Sequence, residues 1–314
     1  MDYKKIAGAA IGATAVAAAA AVTGAYVAYK LSFRTDREAQ TKGYAIPDKY
    51  TPEQGEVIKG LMEEMKAIEY EDVWIKSRDG LKLHGKYYHV SDDAPLQIQF
   101  HGYNGNTVKD FCGGNKIARE EEHNTLVVEH RAHGQSQGKT ITFGVKEKFD
   151  CLQWINYAIK RFGEDVKIVL SGVSMGATTV LMASGLDLPK NVVCIVADCG
   201  YNSAEEIIRK VAKDRKYPVK LCTPFLHLGA LLFGRFNLKK GSAVEAVKKS
   251  KVPTLIIHGT EDSMVPYYMG VELYGKCAAE KQFLGVEKAG HGMSYIVDTE
   301  SYTETVRNFM NKYL

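Results

Sequence analysis

The sequence predicts an α/β fold, a mostly parallel sheet flanked by helices, with a short helical cap inserted late in the chain. Three observations predict it. Short apolar, β-rich runs alternate with amphipathic helical stretches along most of the chain. Residues able to do chemistry follow the carboxyl ends of those runs. The strand–helix rhythm breaks once, from Tyr201 to Lys251.

The elements follow in order. Residues 31–68 read as a polar connector with a helix from about Pro52 to Ile68. "YEDVWIKSRDGLKLHGKYYHV" reads as a β-hairpin around the turn residues Ser77, Arg78, Asp79 and Gly80. "PLQIQF" is a short strand running into "HGYNGN", and Asn106 to Glu122 is a helix. "NTLVVEHR" is a strand. Val145 to Phe162 is a helix, with Phe149, Leu152, Ile155 and Ile159 at helical spacing. "VKIVLSGVS" is a strand with a helix after Ser174. "NVVCIVADCG", "VPTLIIHGTED" and "KQFLGVEKAG" are strands, and Thr299 to Tyr313 is the last helix. Parallel βαβ units of this kind place their ligand crevice at the carboxyl ends of the strands.

Composition narrows the class. With 314 residues, 45% hydrophobic and 25% charged, the chain is that of a globular protein. A net charge of +4 is too small to call for nucleic acid, and none is expected as a partner. The six cysteines show neither CxxC nor metal-ligand spacing, so neither zinc nor a disulfide framework is implied.

The N-terminus stands apart. Lys4 and Lys5 precede 24 uncharged residues, Ile6 to Tyr29, of which 12 are alanine. As a helix this run is about 36 Å long, enough for a bilayer core of roughly 30 Å. An uncleaved anchor over 1–30 is the favoured reading; a cleaved signal peptide and a soluble Ala-rich helix are its rivals. Lys4 and Lys5 favour an extracytoplasmic catalytic domain, whereas Lys30, Arg34, Arg37 and Lys42 pull the other way. The expectation is a membrane-anchored domain outside the cytoplasm, secreted if the segment is cleaved. The chain then divides into 1–30 (anchor or signal), 31–68 (connector) and 69–314 (catalytic domain, cap at about 201–251).

The chemistry centres on "GVSMG". A strand turning sharply into a helix lifts Ser174 out of the sheet, and glycines two before and two after relieve the crowding. A serine hydroxyl needs a base, and the base needs a third group to fix its tautomer. When the nucleophile sits on such a turn, the acid follows it in the chain and the histidine comes last. His291, in "KAGHGM" after the last strand, is the base. Asp262, in "HGTEDSMVP", is the favoured acid, with Asp198 at the end of "IVAD" as the alternative. The oxyanion hole takes the amide of Met175, the residue after the nucleophile, and an amide from "HGYNG", with Tyr103 as donor. His101 reads as loop scaffold rather than base. Arg131 and His133 read as scaffold, with substrate contact as the alternative. No metal or organic cofactor is called for.

"HGYNGN", "EHRAHGQSQG", "ITFGVKEKFD", "GVSMGATTVLMASG", "VADCGY", "HGTEDSMVP" and "AGHGMSY" together resemble the α/β-hydrolases of the serine aminopeptidase/lysophospholipase-like branch. They are most similar to its YqkD-type members, which carry an N-terminal hydrophobic segment. The resemblance covers roughly residues 70–312 and implies an α/β-hydrolase fold with a capping insertion. Glu129 departs from it, since many relatives have Asp there. The branch includes esterases, lipases, thioesterases and peptidases, so the resemblance leaves the substrate open.

The expected function is hydrolysis of carboxylic esters through an acyl-enzyme, on a small-molecule ester or acyl substrate, apolar acyl or lipid-like ones included. Aminopeptidase-like and acyltransferase activities are alternatives, and a catalytically silent ligand-binding scaffold is the rival of another class. The cap segment 201–251 carries twelve Lys/Arg against four acids, net +8, leaving −4 for the rest. It also contains "TPFLHLGALLFGRF". It reads either as a solvated lid or as a lid facing an anionic bilayer or admitting an acyl chain.

Overall fold

The computed structural model describes residues 3–36, with side chains from residue 16, and residues 50–314. The strands are β1 (Glu71–Lys76), β2 (Lys82–Tyr88), β3 (Leu96–Phe100), β4 (Asn124–Val128), β5 (Ile168–Val173), β6 (Val192–Asp198), β7 (Thr254–Gly259) and β8 (Lys281–Val286). They form one sheet in the order β1-β2-β4-β3-β5-β6-β7-β8. Strand β2 pairs antiparallel with both β1 and β4, and β3 to β8 pair in parallel. This is the α/β architecture that the alternating pattern predicts.

The helices are α1 (Tyr3–Ser32), α2 (Pro52–Lys66), α3 (Thr107–Glu120), α4 (Glu147–Phe162), α5 (Met175–Ala183), α6 (Ala204–Asp214), α7 (Val219–Leu232), α8 (Ala243–Val247), α9 (Tyr267–Lys276), α10 (Ser294–Val297) and α11 (Thr299–Asn311). Local chemistry sets several starts. Helix α2 begins with a capping box, Thr51 and Gln54 each bonding the other's backbone, and Pro52 stands in the first turn. Helix α3 starts where the Asn106 side chain accepts the Lys109 amide.

The central strands are buried on both faces, so their sequences are continuous apolar runs. Successive side chains point to opposite faces. Ile168 and Leu170 therefore join Trp154, Ile155, Val180 and Leu181 in one core. Val169 joins Ile117, Val306, Phe309 and Met310 in the other.

Two details differ from the sequence reading. Helix α4 buries Cys151, Trp154, Ile155 and Ala158 together with Glu147 and Asp150, so its inner face is rotated from the stripe through Phe149, Leu152 and Ile159. The cause is polar: Asp150 turns inward to meet Arg131. Helix α9, between β7 and β8, has no clear sequence signal, because Gly270 and Gly275 weaken it.

The cap consists of α6 and α7. Ile207, Ile208, Leu226, Ala230, Phe236 and Leu238 pack with Phe143 and with Met175, the residue after Ser174. The partner of its apolar stretch is the N-terminal helix. Ala25 and Tyr29, four residues apart on one face of α1, are buried, as is Phe33 just past its end. Ala25 and Tyr29 meet α7 at Gly229, where a Cβ would lie 2.4 Å from the Ala25 carbonyl oxygen. Phe33 packs edge-on against both Phe236 (ring centroids 5.1 Å apart) and Phe143 (6.2 Å). The chain after α1 is tied down too: the Ile141 amide donates to Phe33 O at 2.8 Å and the Thr35 amide to Lys139 O at 3.1 Å.

The sequence favours a membrane segment for α1, with a soluble helix among its rivals, and leaves the cap either as a solvated lid or as one that faces lipid or substrate. Instead the second half of α1 and the cap cover each other. Among the described residues no helix is long and apolar enough to cross a membrane, so the transmembrane and signal-anchor readings gain no support there. The side chains of residues 1–15, half of the anchor segment 1–30, lie outside the described residues. So do Arg37 and Lys42, which entered the orientation argument.

Candidate active site

Ser174 joins β5 to α5 with φ 55° and ψ −112°. For a residue with a side chain this conformation is strained, at a cost of about 1–3 kcal/mol. The surroundings hold it there: the Ser174 amide donates to Asp198 O at 2.8 Å and its carbonyl accepts the Thr178 amide at 3.0 Å. The flanking glycines have a direct steric reason. A Cβ on Gly172 would lie 2.3 Å from the carbonyl carbon of Gly176, and a Cβ on Gly176 would lie 1.7 Å from Phe100 O. The turn closes only if both side chains are absent.

His291 Nε2 is 3.0 Å from Ser174 Oγ, and its Nδ1 is 2.7 Å from Asp262 Oδ2. The other Asp262 oxygen accepts the amides of Met264 (2.9 Å) and Val265 (2.8 Å). A carboxylate accepts, so the imidazole proton sits on Nδ1, and Nε2 faces the serine with a lone pair. Three strand ends far apart in sequence (β5, β7 and β8) thus bring Ser174, Asp262 and His291 into one hydrogen-bonded chain.

Asp198, the alternative acid, is placed differently. Its side chain is 5% exposed and accepts a hydrogen bond from Ser294 Oγ at 3.2 Å. Tyr302 is its second hydrogen-bonding partner. Burial pushes its carboxyl up to about 7.

The loop after β3 is held rigidly around Tyr103. The Gly102 amide donates to Asp110 Oδ2 (2.8 Å), the Asn104 amide to His133 Nε2 (3.2 Å) and the Gly105 amide to Gly102 O (3.1 Å). Met175 opens α5, so its amide belongs to the helix-terminal N–H groups that have no intrahelical acceptor. The Tyr103 ring stacks on Phe143 with centroids 5.3 Å apart and planes 19° apart.

The histidines expected as scaffold are bonded as scaffold. His101 is 1% exposed; its Nε2 accepts the His130 amide (3.1 Å), which leaves its Nδ1 to donate to Gly102 O (2.8 Å). His133 Nε2 accepts from Asn104, so its Nδ1 donates to Arg131 O (3.0 Å). Burial, then the neighbouring His101 and His133, push His130 well below its ordinary value. Arg131 is buried and forks onto two carboxylates, Asp150 (2.6 and 2.7 Å) and Asp79 (2.9 and 3.1 Å). These bonds make Arg131 part of the scaffold of its loop. Glu129 bonds His84 Nδ1 at 2.9 Å and receives the Gln135 amide at 2.5 Å, closing the same loop from below.

Cys199, Asp262 and His291 bring metal-type ligand atoms within 4.8 Å of one another. The set suits a metal poorly. Burial holds the Cys199 thiol well above its usual value, both Asp262 oxygens are engaged, and His291 Nε2 faces Ser174.

A cavity of about 310 Å³ opens beside Ser174 and His291. Its walls come from α2, α3, α10 and α11, not from the cap: Tyr50, Ile58, Cys112, Tyr295 and Tyr302 line it, with Asp198. Sequence reasoning singled out Asp198, as an alternative acid, and missed the other five. They share no motif and no period, and converge only because α2 packs over α3.

The family described as alpha/beta hydrolase fold matches residues 98–223. YqkD of Bacillus subtilis is 28% identical over 189 residues, 60% of this chain and 62% of YqkD, so the match spans less than two thirds of that relative. Protein bem46 of Schizosaccharomyces pombe is 22% identical over 250 residues, 77% of each chain. Among solved structures, the esterase Pf2001 of Pyrococcus furiosus superposes with a TM-score of 0.64 at 25% identity, covering 85% of this chain and 96% of the esterase. Est1E of Butyrivibrio proteoclasticus, solved with ferulic acid bound, shares the fold with a TM-score of 0.58 at 20% identity, covering 77% of this chain and 98% of Est1E.

Proposed function

We propose that this chain, a member of the α/β-hydrolase superfamily, is a serine hydrolase that cleaves carboxylic esters through an acyl-enzyme. Hydrolase activity in general is supported by the esterases among its structural neighbours. The observation that carries the finer reading is the continuous hydrogen-bond chain from Ser174 Oγ through His291 to Asp262, with the serine in a strained turn.

In this reading Ser174 Oγ attacks the ester carbonyl while His291 Nε2 takes the hydroxyl proton. Asp262 keeps the imidazole in the required tautomer and offsets the charge it gains. The carbonyl oxygen becomes an alkoxide between the amides of Met175 and Tyr103. Collapse expels the alcohol, which receives the proton from His291. Water, deprotonated by the same histidine, then attacks the acyl-serine; the acid leaves and Ser174 regains its proton. No step calls on a group outside the chain and water. A ligand-binding scaffold would have no use for a strained serine facing a histidine lone pair, which separates the enzyme reading from a silent one.

The cavity is at the small end of ligand sites, which run roughly 300–1,000 Å³, and this favours short acyl groups. A panel of p-nitrophenyl esters from C2 to C16 tests the assignment. We expect the highest kcat/KM among the short esters and a loss of about 10⁶ in turnover for Ser174→Ala. A variant retaining a tenth of wild-type activity would refute the role of Ser174.

A further inference from the structure

The proposed mechanism leaves unused a buried acid that lies beside the nucleophile. Asp198 lines the same cavity as Ser174 and His291 and is almost wholly buried. Its bonding partners, Ser294 and Tyr302, are uncharged hydroxyls. Among the described residues the titratable groups acting on it most strongly, beside those hydroxyls, are His291 and Asp262; Lys109, which also lines the cavity, is not one of them. Burying a carboxylate without a counter-ion is costly, and a core would ordinarily replace it. Here it is kept, at the wall of an open cavity next to the nucleophile.

The neighbours of Asp198 in that wall are aromatic. Tyr50, Tyr295 and Tyr302 line the cavity with it, and Tyr295 meets Tyr302 edge-on with centroids 5.6 Å apart. A carboxylate set among aromatic rings is the chemistry that holds an ammonium: the charge pairs with the acid and the ring quadrupoles attract the same cation. Neither a neutral acyl chain nor an anionic substrate would use both features.

We infer that this cavity is a subsite for an ammonium group carried by the substrate, with Asp198 as its counter-ion and the three tyrosines as its aromatic wall. The inference rests on the serine-hydrolase reading and names the substrate class of that site. The ammonium sits either on the acyl side, as in an aminoacyl ester, or on the alcohol side, as in a choline ester.

Two matched pairs of esters test it, followed by titration of released acid at pH 7, where an α-amino group is mostly protonated. Leucine methyl ester is compared with methyl 4-methylpentanoate, and butyrylcholine with 3,3-dimethylbutyl butyrate. The wild-type protein should prefer the cationic member of one pair by about tenfold or more in kcat/KM, and the pair that responds identifies the side carrying the charge. In Asp198→Asn the ratio should fall toward one, whatever the absolute rates. Tyr50→Leu should lower the ratio and Tyr50→Phe should restore it, which keeps the test decisive if the Asp198 variant does not fold. A ratio near one for both pairs in wild type, or a preference that survives in Asp198→Asn and in Tyr50→Leu, overturns the subsite. Turnover of the neutral esters without preference would sink only the subsite; no turnover of any ester would sink the hydrolase reading beneath it.

Discussion

His291 Nδ1 stands 2.7 Å from Asp262 Oδ2, and the second oxygen of that carboxylate is fixed by two backbone amides. The acid therefore cannot swing away from the imidazole, and the ring is oriented from behind. Asp262→Asn keeps the size and still accepts the two amides, but offers His291 a donor in place of an acceptor. We expect kcat to fall about 10⁴-fold with little change in melting temperature. A loss of less than tenfold would move the orienting role to another group.

The backbone strain at Ser174 gives a stability prediction of opposite sign to the activity prediction. Ser174→Gly relieves a strain of about 1–3 kcal/mol and gives back roughly 0.5–1 kcal/mol through the freer unfolded chain. Denaturant unfolding should find the variant about 1 kcal/mol more stable than wild type, and inactive. A variant less stable than wild type would mean that the turn is not strained.

Asp198 should make stability depend on pH. Burial raises its folded-state pKa from 3.8 to about 7. A raised pKa contributes stability that is complete below 3.8 and lost as pH rises through 7. Asp198→Asn removes the titration, so the variant should exceed wild type by on the order of 1 kcal/mol above pH 8, with the gap closing toward pH 5. Melting curves across that range check it; a gap that does not vary with pH would mean that Asp198 does not titrate there.

Phe33 connects the N-terminal helix to the site. It packs on Phe143, which in turn stacks on Tyr103. Phe33→Ala empties a fully buried position and should cost about 3–5 kcal/mol. It should also lower kcat by loosening the loop that offers the Tyr103 amide. Unchanged stability and turnover would show that α1 is not part of the folded body.

The fold was legible wherever apolar runs alternate, because strands buried on both faces read as continuous hydrophobic segments. The candidate site was legible because the tight turn at Ser174 demands flanking glycines and because Ser174, Asp262 and His291 all follow strand ends. What stayed hidden has a common physical cause. The inner face of α4 depends on the Arg131–Asp150 pair, the partner of the cap depends on Phe33 reaching Phe143 and Phe236, and the cavity wall depends on Tyr50, Tyr295 and Tyr302 meeting across long sequence distances. None of these leaves a local period or motif.

The central claim is that Ser174 is a nucleophile activated by His291. Labelling with a fluorophosphonate probe, followed by peptide mass spectrometry, tests it most directly. The account predicts one probe per chain, attached to Ser174, with labelling strongly slowed in His291→Ala. A folded wild-type protein that takes no label, or takes it on another residue, would contradict it.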